Sequence, residues 1–377
     1  MKKTILILIT CPLQISMNCT NPQGMNEGVS AEKVIDITAN HHKGKINIEK
    51  YLAEVNIIPL KYPKIIANID KVILTQDKIY VQDEKTIALL EFAKDGTFIK
   101  QIGKVGAGPG EYLSVHDFEI DERTGHIFVM SLQSMALIEY DVKGGLVRSL
   151  KLPVFAQKFK LTNNSILLFP NSNPNELSGN CDLIVCDRNL KHKKNLLCRN
   201  KISDFISSLS GDLGTNETGI YITKAFENKI YYYQNGALTA QYNIDFGKSE
   251  LPLDYSYKFS TYRRHVSDYA YLSKPILESN HYLSFYYLNK DRITFFILDK
   301  KRNIAYDDAT NFDYTGFNRA IAGYGIIGLK GDVFLAKIDM DSFDQNKVKL
   351  ENSPILKKIK AMNLKNHVLV SFKFKFP

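Results

Sequence analysis

Short apolar runs of strand length, separated by polar turns, recur along most of the chain. The first clear group spans about residues 65–103 and contains four such runs. A second group repeats it, because Ile79 and Ile127 are 48 residues apart, as are Gly96 and Gly144. A repeat of this length, built from four short strands, predicts the blades of a β-propeller.

Weaker units follow the same plan. The apolar run Val55–Leu60 precedes the first unit, and a strand at each end of the array predicts a ring in which the N-terminal strand completes the last blade. Ser353 and Pro354 predict a short helix near the C-terminus, with Ser353 as its N-cap. The expected fold is an all-β, six-bladed β-propeller of four-stranded antiparallel blades over residues 46–377. The weaker units are predicted over residues 159–198, 219–246, 282–305 and 325–375.

The stretch Gly103–Tyr112 lies between the first two units and is rich in glycine. It lacks the Gly-Lys-Ser/Thr ending of a P-loop, and Glu111 stands where the G-x-G-x-x-G spacing of a dinucleotide site needs glycine. We therefore interpret it as a joint that lets the chain cross tightly between blades.

The chain of 377 residues has a formal net charge of +9 and a pI of about 9.0. Its lysines are spread along the sequence and form no long basic run. This favours a basic surface without a nucleic-acid partner. The 21 tyrosines and 21 phenylalanines add to the strand signal.

Residues 1–19 have the pattern of a lipoprotein-type signal peptide, with two lysines, a short apolar core and a closing cysteine. In that interpretation Cys19 is lipidated and becomes the mature N-terminus. Such signals usually carry leucine three places before the cysteine, where this chain has Ser16. Cys11 fits the local pattern better but leaves a very short apolar core, so it is the alternative. Residues 20–45 are polar and are expected to form a flexible tether.

Three cysteines fall in the third unit. Its hairpin centres between Asn189 and Leu190, so residues opposite each other across the turn have numbers that sum to 379. Cys181 and Cys198 satisfy this relation and are expected to face each other on neighbouring strands. Their expected separation is slightly wide for a disulfide, so a bond and a free pair both stay open. Cys186 is expected on the opposite face.

The most distinctive motifs are Ile102–Tyr112, Asp117–Asp121, Gly125–Val129, Ile138–Asp141 and the closing run Asn366–Lys375. With these motifs the sequence resembles the six-bladed β-propeller lipoproteins of gut Bacteroidetes, relatives of the NHL-repeat propellers. The likeness covers about residue 45 to the end, and the glycine stretch is its most specific part. It implies the fold and export, and it carries no general catalytic signature.

Two polar groups are candidate ligand-contact sites, against the alternative that they are ordinary loop residues. His116 and Asp117 begin the inner strand of the second unit, where an imidazole beside a carboxylate suits acid–base chemistry at a channel mouth. Adjacent strand residues point to opposite faces, so this pair needs partners from other blades. No cofactor or metal is expected, because no loop has calcium or zinc spacing. The second group, which suits carboxylates, sulfates or sugars, comprises Tyr262, Arg263, Arg264 and His265.

We expect a non-enzymatic binding protein of the cell envelope, held in the outer membrane by its lipid anchor alone. Its expected partner is a glycan, a peptide or another envelope protein. The alternative is an envelope hydrolase or lyase with its active site at the mouth of the propeller channel. Three or four converging His, Asp, Glu or Asn side chains would favour the enzyme, and scattered polar groups would favour binding.

Replacement of Cys19 by alanine is expected to abolish incorporation of labelled palmitate and to release the protein from the membrane fraction, because its thiol is the predicted acylation site. Metabolic labelling followed by fractionation measures both effects. The matched variant Cys11→Ala should keep full labelling. Labelling lost in C11A and kept in C19A would move the anchor to Cys11, and labelling kept in both would exclude lipidation at either cysteine.

Overall fold

The structure, a computed structural model, arranges most of the chain as six β-sheets around a channel. Five of the sheets have four strands and one has five, with consecutive strands antiparallel. This confirms the predicted six-bladed β-propeller. The described residues are 32–39, 41–171, 177–201, 203–205, 210–216, 219–290, 292–308, 311–312, 316–321, 324–339 and 353–376.

Blades one to three match the sequence prediction to within a few residues, and their strands run from the channel outwards in chain order. Blade one consists of Lys71–Leu74, Lys78–Asp83, Ala88–Ala93 and Phe98–Gln101. Blade two consists of Asp117–Ile120, Ile127–Ser131, Ala136–Tyr140 and Leu146–Lys151. Blade three consists of Lys158–Leu161, Ile166–Phe169, Cys181–Cys186 and His192–Cys198.

Blades four and five each begin with an inner strand that the apolar pattern does not predict. The run that starts at Gly219 is the second strand of its blade, and so is the run that starts at Tyr282. The pattern misses the inner strands because polar residues and Pro275 interrupt their alternation. Blade four consists of Asp212–Asn216, Gly219–Thr223, Lys229–Gln234 and Ala237–Asp245, and blade five of Ala270–Glu278, Tyr282–Asn289, Arg292–Asp299 and Ile304–Asp307.

Blade six closes the ring in the predicted way. The N-terminal strand Leu52–Pro59 pairs antiparallel with Val368–Phe374, so an early segment of the chain supplies the outer strand of the last blade. This pairing protects backbone groups that an open array would expose. The two remaining strands of the blade are Ile326–Lys330 and Val333–Ile338.

The segment that precedes the strand Leu52–Pro59 lies along the outside of the propeller. Lys33–Asp36 pairs in parallel with the outer strand of blade four, and a single bridge joins His41 to Ala305 of blade five. Part of the stretch expected as a tether, residues 20–45, therefore forms β-structure. The physical reason is that the outer strand of a blade offers unpaired backbone groups to any extended segment beside it.

The hydrophobic core is divided among the blade interfaces. In the described part of the chain, buried apolar residues form one cluster between each pair of neighbouring blades. Fully buried rings such as Phe118, Phe159 and Phe285 belong to these clusters. Burial of apolar surface, at about 25 cal/mol per Å², therefore holds each blade to its two neighbours.

Short helices occupy several connections. The Ser353 hydroxyl accepts a hydrogen bond from the Leu356 amide at 3.1 Å and caps the C-terminal helix as predicted. Among the described residues, no helix is long and apolar enough to cross a membrane. Within the described ranges, the α-helices are Phe259–His265, Gly316–Ile321 and Pro354–Ala361, and the 3-10 helices are Ile48–Tyr51, Gly247–Ser249, Leu253–Tyr257 and Val266–Asp268.

Cys181 and Cys198 lie directly opposite each other in the outer hairpin of blade three, which confirms the predicted register. They form a disulfide, so the question left open by the sequence is answered by a bond. Cys186 is free and buried against blade two, on the other face of the sheet. Burial raises the pKa of its thiol to about 11.

The glycine stretch joins the outer strand of blade one to the inner strand of blade two, as predicted. Lys104–Val105 and Glu111–Tyr112 pair there in a short parallel ladder. Gly103 has a φ of +64°, and a Cβ at this position would lie 2.6 Å from Tyr140 Oη. Glycine is therefore required by the backbone conformation and by the close approach of the tyrosine.

Gly103→Ala is expected to lower the free energy of unfolding by about 2–5 kcal/mol, because a left-handed backbone costs about 1–2 kcal/mol and overpacking about 1–3 kcal/mol. The control is Gly236→Ala, since Gly236 has a φ of +83° and a Cβ there would meet nothing within 4 Å. Only the backbone cost should appear in that variant. Equal urea-denaturation midpoints for the two variants would contradict the close packing at Gly103.

Candidate functional site

Charged side chains gather where the inner strands begin, around the mouth of the channel. The first residues of the inner strands of blades one to four alternate in charge, and they are Lys71, Asp117, Lys158 and Asp212. In blade five, Lys274 lies at a bulge of the inner strand. We call the channel-mouth cluster the set formed by Lys71, Asp117, Glu119, Lys158, Lys160, Asp212 and Lys274.

Asp117 is buried where blades one, two and three meet. Its Oδ1 accepts hydrogen bonds from Lys71 Nζ at 2.7 Å and from the Phe118 amide at 3.0 Å. Its Oδ2 accepts one from the Phe159 amide at 3.0 Å. Burial alone would raise the pKa of Asp117, but the charges of the cluster lysines outweigh it and hold the pKa below its ordinary value. Asp117 therefore stays ionised as a fixed acceptor.

Glu119 lies two residues further along the same strand and joins lysines of two blades. Its Oε1 accepts hydrogen bonds from Lys71 Nζ at 2.5 Å and from Lys160 Nζ. Burial alone would lower the pKa of Lys71. Attraction to Asp117 and Glu119 outweighs the effect of burial and raises that pKa. In Lys160 burial prevails over the attraction of Glu119, and the pKa is lowered. These contacts connect blades one, two and three at the channel.

Asp212 makes a similar set of contacts in blade four. Its Oδ1 binds Lys158 Nζ and the Leu213 amide, the latter at 2.9 Å. Its Oδ2 accepts a hydrogen bond from Tyr221 Oη at 2.8 Å. Burial alone would raise the pKa of Asp212, but Lys158 and Lys274 hold it below the ordinary value. Both carboxylate oxygens are thus already engaged.

Lys274 differs from the other lysines of the cluster. Among the described residues, no carboxylate lies within ion-pair distance of its Nζ. Burial, and then repulsion from Lys158, lower the pKa of Lys274 to about 8, against the longer-range attraction of Asp212, Asp117 and Glu84. Its ammonium group is therefore still mostly charged at pH 7 and loses its proton as the pH rises through about 8.

His116, predicted as a ligand contact, lies on the rim of the cluster. Its Nδ1 is 3.0 Å from Glu84 Oε1, and its ring centroid is 6.4 Å from that of Phe155. Asp117, the next residue, turns into the cluster, as expected for neighbours on a strand.

Tyr262, the first residue of the second predicted group, is half-buried in the helix Phe259–His265 between blades four and five. Its ring centroid lies 5.0 Å from those of Phe205 and Phe226. Its hydroxyl is 3.0 Å from the Tyr271 hydroxyl. Tyr262 therefore helps to pack this helix against the propeller.

The other members of that group face outwards. The side chains of Arg263 and Arg264 are exposed, and Arg264 Nε donates a hydrogen bond to the Ser260 carbonyl at 3.2 Å. The His265 ring lies 4.9 Å from the ring of Tyr255. These contacts stay within the connection between blades four and five, whereas the first predicted pair contacts blades one to three.

Sequence reasoning found Asp117 but not its partners. The sequence signal that could have revealed them is the charged first residue of each inner strand in blades one to four. The sign of this charge alternates from blade to blade. It becomes readable only when every inner strand is assigned, and two of them escape the apolar pattern. The missed members are Lys71, Glu119, Lys158, Lys160, Asp212 and Lys274.

The carboxylates at the channel mouth are bound by lysines. Within the described ranges, no group of three or more His, Cys, Asp or Glu side chains is arranged to hold a metal ion. Cys19, the predicted lipidation site, lies outside the described residues.

Six blades around a charged channel mouth define this protein as a six-bladed β-propeller. The chain belongs to the family described as a domain of unknown function, DUF4934, whose model matches residues 32–373. No functionally curated protein matches the sequence.

Solved structures share the fold. A candidate exported protein from Bacteroides fragilis NCTC 9343 is 17% identical, with a TM-score of 0.74 over 92% of this chain and 100% of that chain. A member of the DUF4221 family from Bacteroides vulgatus ATCC 8482 is 9% identical, with a TM-score of 0.54 over 86% of this chain and 97% of that chain. Virginiamycin B lyase from Staphylococcus aureus is 10% identical, with a TM-score of 0.44 over 85% of this chain and 99% of that chain. At these identities the likeness to the two Bacteroides structures shows the fold alone.

Asp117→Asn is expected to lower the free energy of unfolding at pH 7 by about 3–5 kcal/mol, because it leaves Lys71 poorly compensated in a buried site. The matched control is Asp254→Asn, whose pair with Lys201 is exposed at 77% and 63% of the two side chains. It should cost at most about 1 kcal/mol. Urea denaturation measures both, and equal losses would contradict the buried network.

The cost of Asp117→Asn should also depend on pH. The pKa of Asp117 is lowered in the folded protein, so its stabilisation is complete above the unfolded pKa of about 3.9 and is lost as the pH falls through the folded pKa. The difference in the free energy of unfolding between wild type and variant should therefore shrink as the pH falls from 5 to 2. A difference that stays constant over this range would contradict a lowered pKa for Asp117.

Proposed function

We propose that this chain is an exported, lipid-anchored propeller of the cell envelope that binds a ligand at its channel mouth without converting it. The observation that carries the proposal is that each carboxylate of the channel-mouth cluster holds a lysine. A hydrolase or lyase that used one of these carboxylates as its base would need it free to accept a proton, with a pKa near the working pH. Carboxylates whose pKa is held low, as in Asp117 and Asp212, are poor bases.

One observation favours the alternative of an envelope hydrolase or lyase. His116 Nδ1 lies 3.0 Å from Glu84 Oε1, and a carboxylate can orient a histidine that acts as a general base. Both side chains are partly exposed, at 27% and 49%, so a substrate can reach them. The experiment below separates retention of the ligand from its conversion.

Export is supported by the signal-like residues 1–19 and by the similarity to a candidate exported protein of Bacteroides fragilis. We assign the anchor to Cys19 and place the propeller at the outer membrane. The partner is a glycan, a peptide or another envelope protein, without nucleic acid.

The ligand contacts we propose lie at two places. His116 and Asp117 belong to the channel mouth, where Asp117 acts through the lysines that it holds. Arg263 and Arg264 are exposed on the neighbouring helix and offer guanidinium groups to a carboxylate or sulfate. Tyr262 and His265 hold that helix by their ring contacts.

Screening of the full-length protein against arrays of glycans and peptides, followed by mass spectrometry of the captured ligand, tests this function. The ligand should be recovered unchanged, and His116→Ala should weaken its binding by about tenfold, the effect of losing one hydrogen bond of about 1.5 kcal/mol. His192→Ala is the matched control, because its Nε2 hydrogen bond to Asn195 at 3.0 Å lies on the outer strand of blade three. A cleaved ligand would establish the enzyme instead.

A further inference from the structure

The alternation of charge around the channel mouth stops at blade six. The channel-mouth cluster contains four lysines and three carboxylates, so one positive charge is left over. The inner strand of blade six begins with Ile326, which is buried and apolar. Of the two blades beside blade five, blade four begins its inner strand with an acidic residue and blade six does not. The excess positive charge therefore falls on Lys274.

The two buried carboxylates near Lys274 are committed elsewhere. Asp212 gives Oδ1 to Lys158 and the Leu213 amide, and Oδ2 to the Tyr221 hydroxyl. Asp117 is similarly saturated by a lysine and two backbone amides. An amine that is largely enclosed and lacks a counterion is costly, which makes the site receptive to an external anion.

We propose that Lys274, together with Lys158, binds an oxyanion at the channel mouth, namely a carboxylate or phosphate group of the ligand. This assignment rests on the proposed binding function and names its ligand chemistry. The anion would supply the acceptor that the sixth blade lacks and would lie between two lysines that repel each other. Lys274 is partly exposed, so the site is open to solvent.

The proposal predicts a specific dependence on pH. The groups that act on Lys274 are Lys158, Asp212, Asp117 and Glu84. Carboxylates stay ionised above pH 7, so the change in charge between pH 7 and pH 9 falls on Lys274, whose pKa is about 8. Its protonated fraction drops by about tenfold over this range, and the affinity for acetate or glucuronate, whose charge is constant there, should weaken by the same factor.

The test uses the full-length protein with sodium acetate, sodium glucuronate and inorganic phosphate as probes, each compared with sodium chloride at equal ionic strength. Dissociation constants are obtained from the dependence of the thermal midpoint on probe concentration. Acetate and glucuronate acting alone would identify a carboxylate site, and phosphate acting alone a phosphate site. Midpoints that respond to every probe as they do to chloride would overturn the proposal.

Three variants locate the site. Lys274→Met should weaken the effective probe by at least about tenfold, whereas Lys94→Met, which removes an exposed charge in an outer hairpin of blade one, should leave it unchanged. Lys274→Arg should retain binding and lose the pH dependence, because guanidinium stays charged at pH 9. Equal binding by K274M and wild type would overturn the assignment.

Stability provides an independent readout. Lys274→Met should leave the thermal midpoint without anion unchanged or raise it, because it removes an uncompensated charge. Lys158→Met should lower that midpoint, because it strips Asp212 of its ion pair. A midpoint lowered as much by K274M as by K158M would show that Lys274 has a structural role instead.

The two proposals fail in different ways. Specific anion binding at Lys274 combined with conversion of the captured ligand would refute the binding function and keep the anion site. A retained, unchanged ligand whose affinity is the same in K274M and wild type would refute the anion site and keep the binding function.

Discussion

The inner strand of every blade leaves one backbone edge without a strand partner, and the propeller depends on satisfying these groups. Side chains of the neighbouring blade bind several of them. Lys71 binds the Phe118 carbonyl at 2.6 Å, and Asp117 binds the Phe159 amide at 3.0 Å. Further pairs are Tyr221 with the Ile276 amide, Tyr286 with the Ile326 amide and Lys337 with the Ile69 carbonyl.

This constraint explains why charged residues stand at the centre of the fold. A lysine or aspartate that reaches a backbone group of the next blade is itself buried, and it needs a counterion. The alternating signs from Lys71 to Asp212 meet that need around four blades. Ligand binding at the channel mouth would then use what the structural network leaves over, which is the charge of Lys274.

The same logic of paired charges is repeated further out, and there it follows the sequence repeat. Glu91 and Glu139 occupy equivalent third strands in blades one and two, and each is buried. Each glutamate pairs with two basic side chains, one on either side. The glutamate and its two partners in blade two each lie 48 residues after their counterparts in blade one. The pairs are Lys78 and Lys100 with Glu91, and His126 and Arg148 with Glu139.

The sequence by itself determined the features that depend on near neighbours. Alternation and tight turns defined blades one to three, the closing strand and the helix capped by Ser353, and the hairpin register alone brought Cys181 opposite Cys198. Such contacts are set by strand periodicity and turn geometry, which can be recognised in a stretch of ten or twenty residues.

Only the tertiary structure decided the channel-mouth cluster, the disulfide and the strand at Lys33–Asp36. Lys158 and Asp212 are 54 residues apart and Lys160 and Glu119 are 41 apart, so their pairing depends on how blades stack around the ring. In blades four and five the inner strands carry polar residues for that purpose, which erases the alternation by which a strand is recognised. Two members of the candidate site, Asp212 and Lys274, therefore lie on strands that the apolar pattern does not predict.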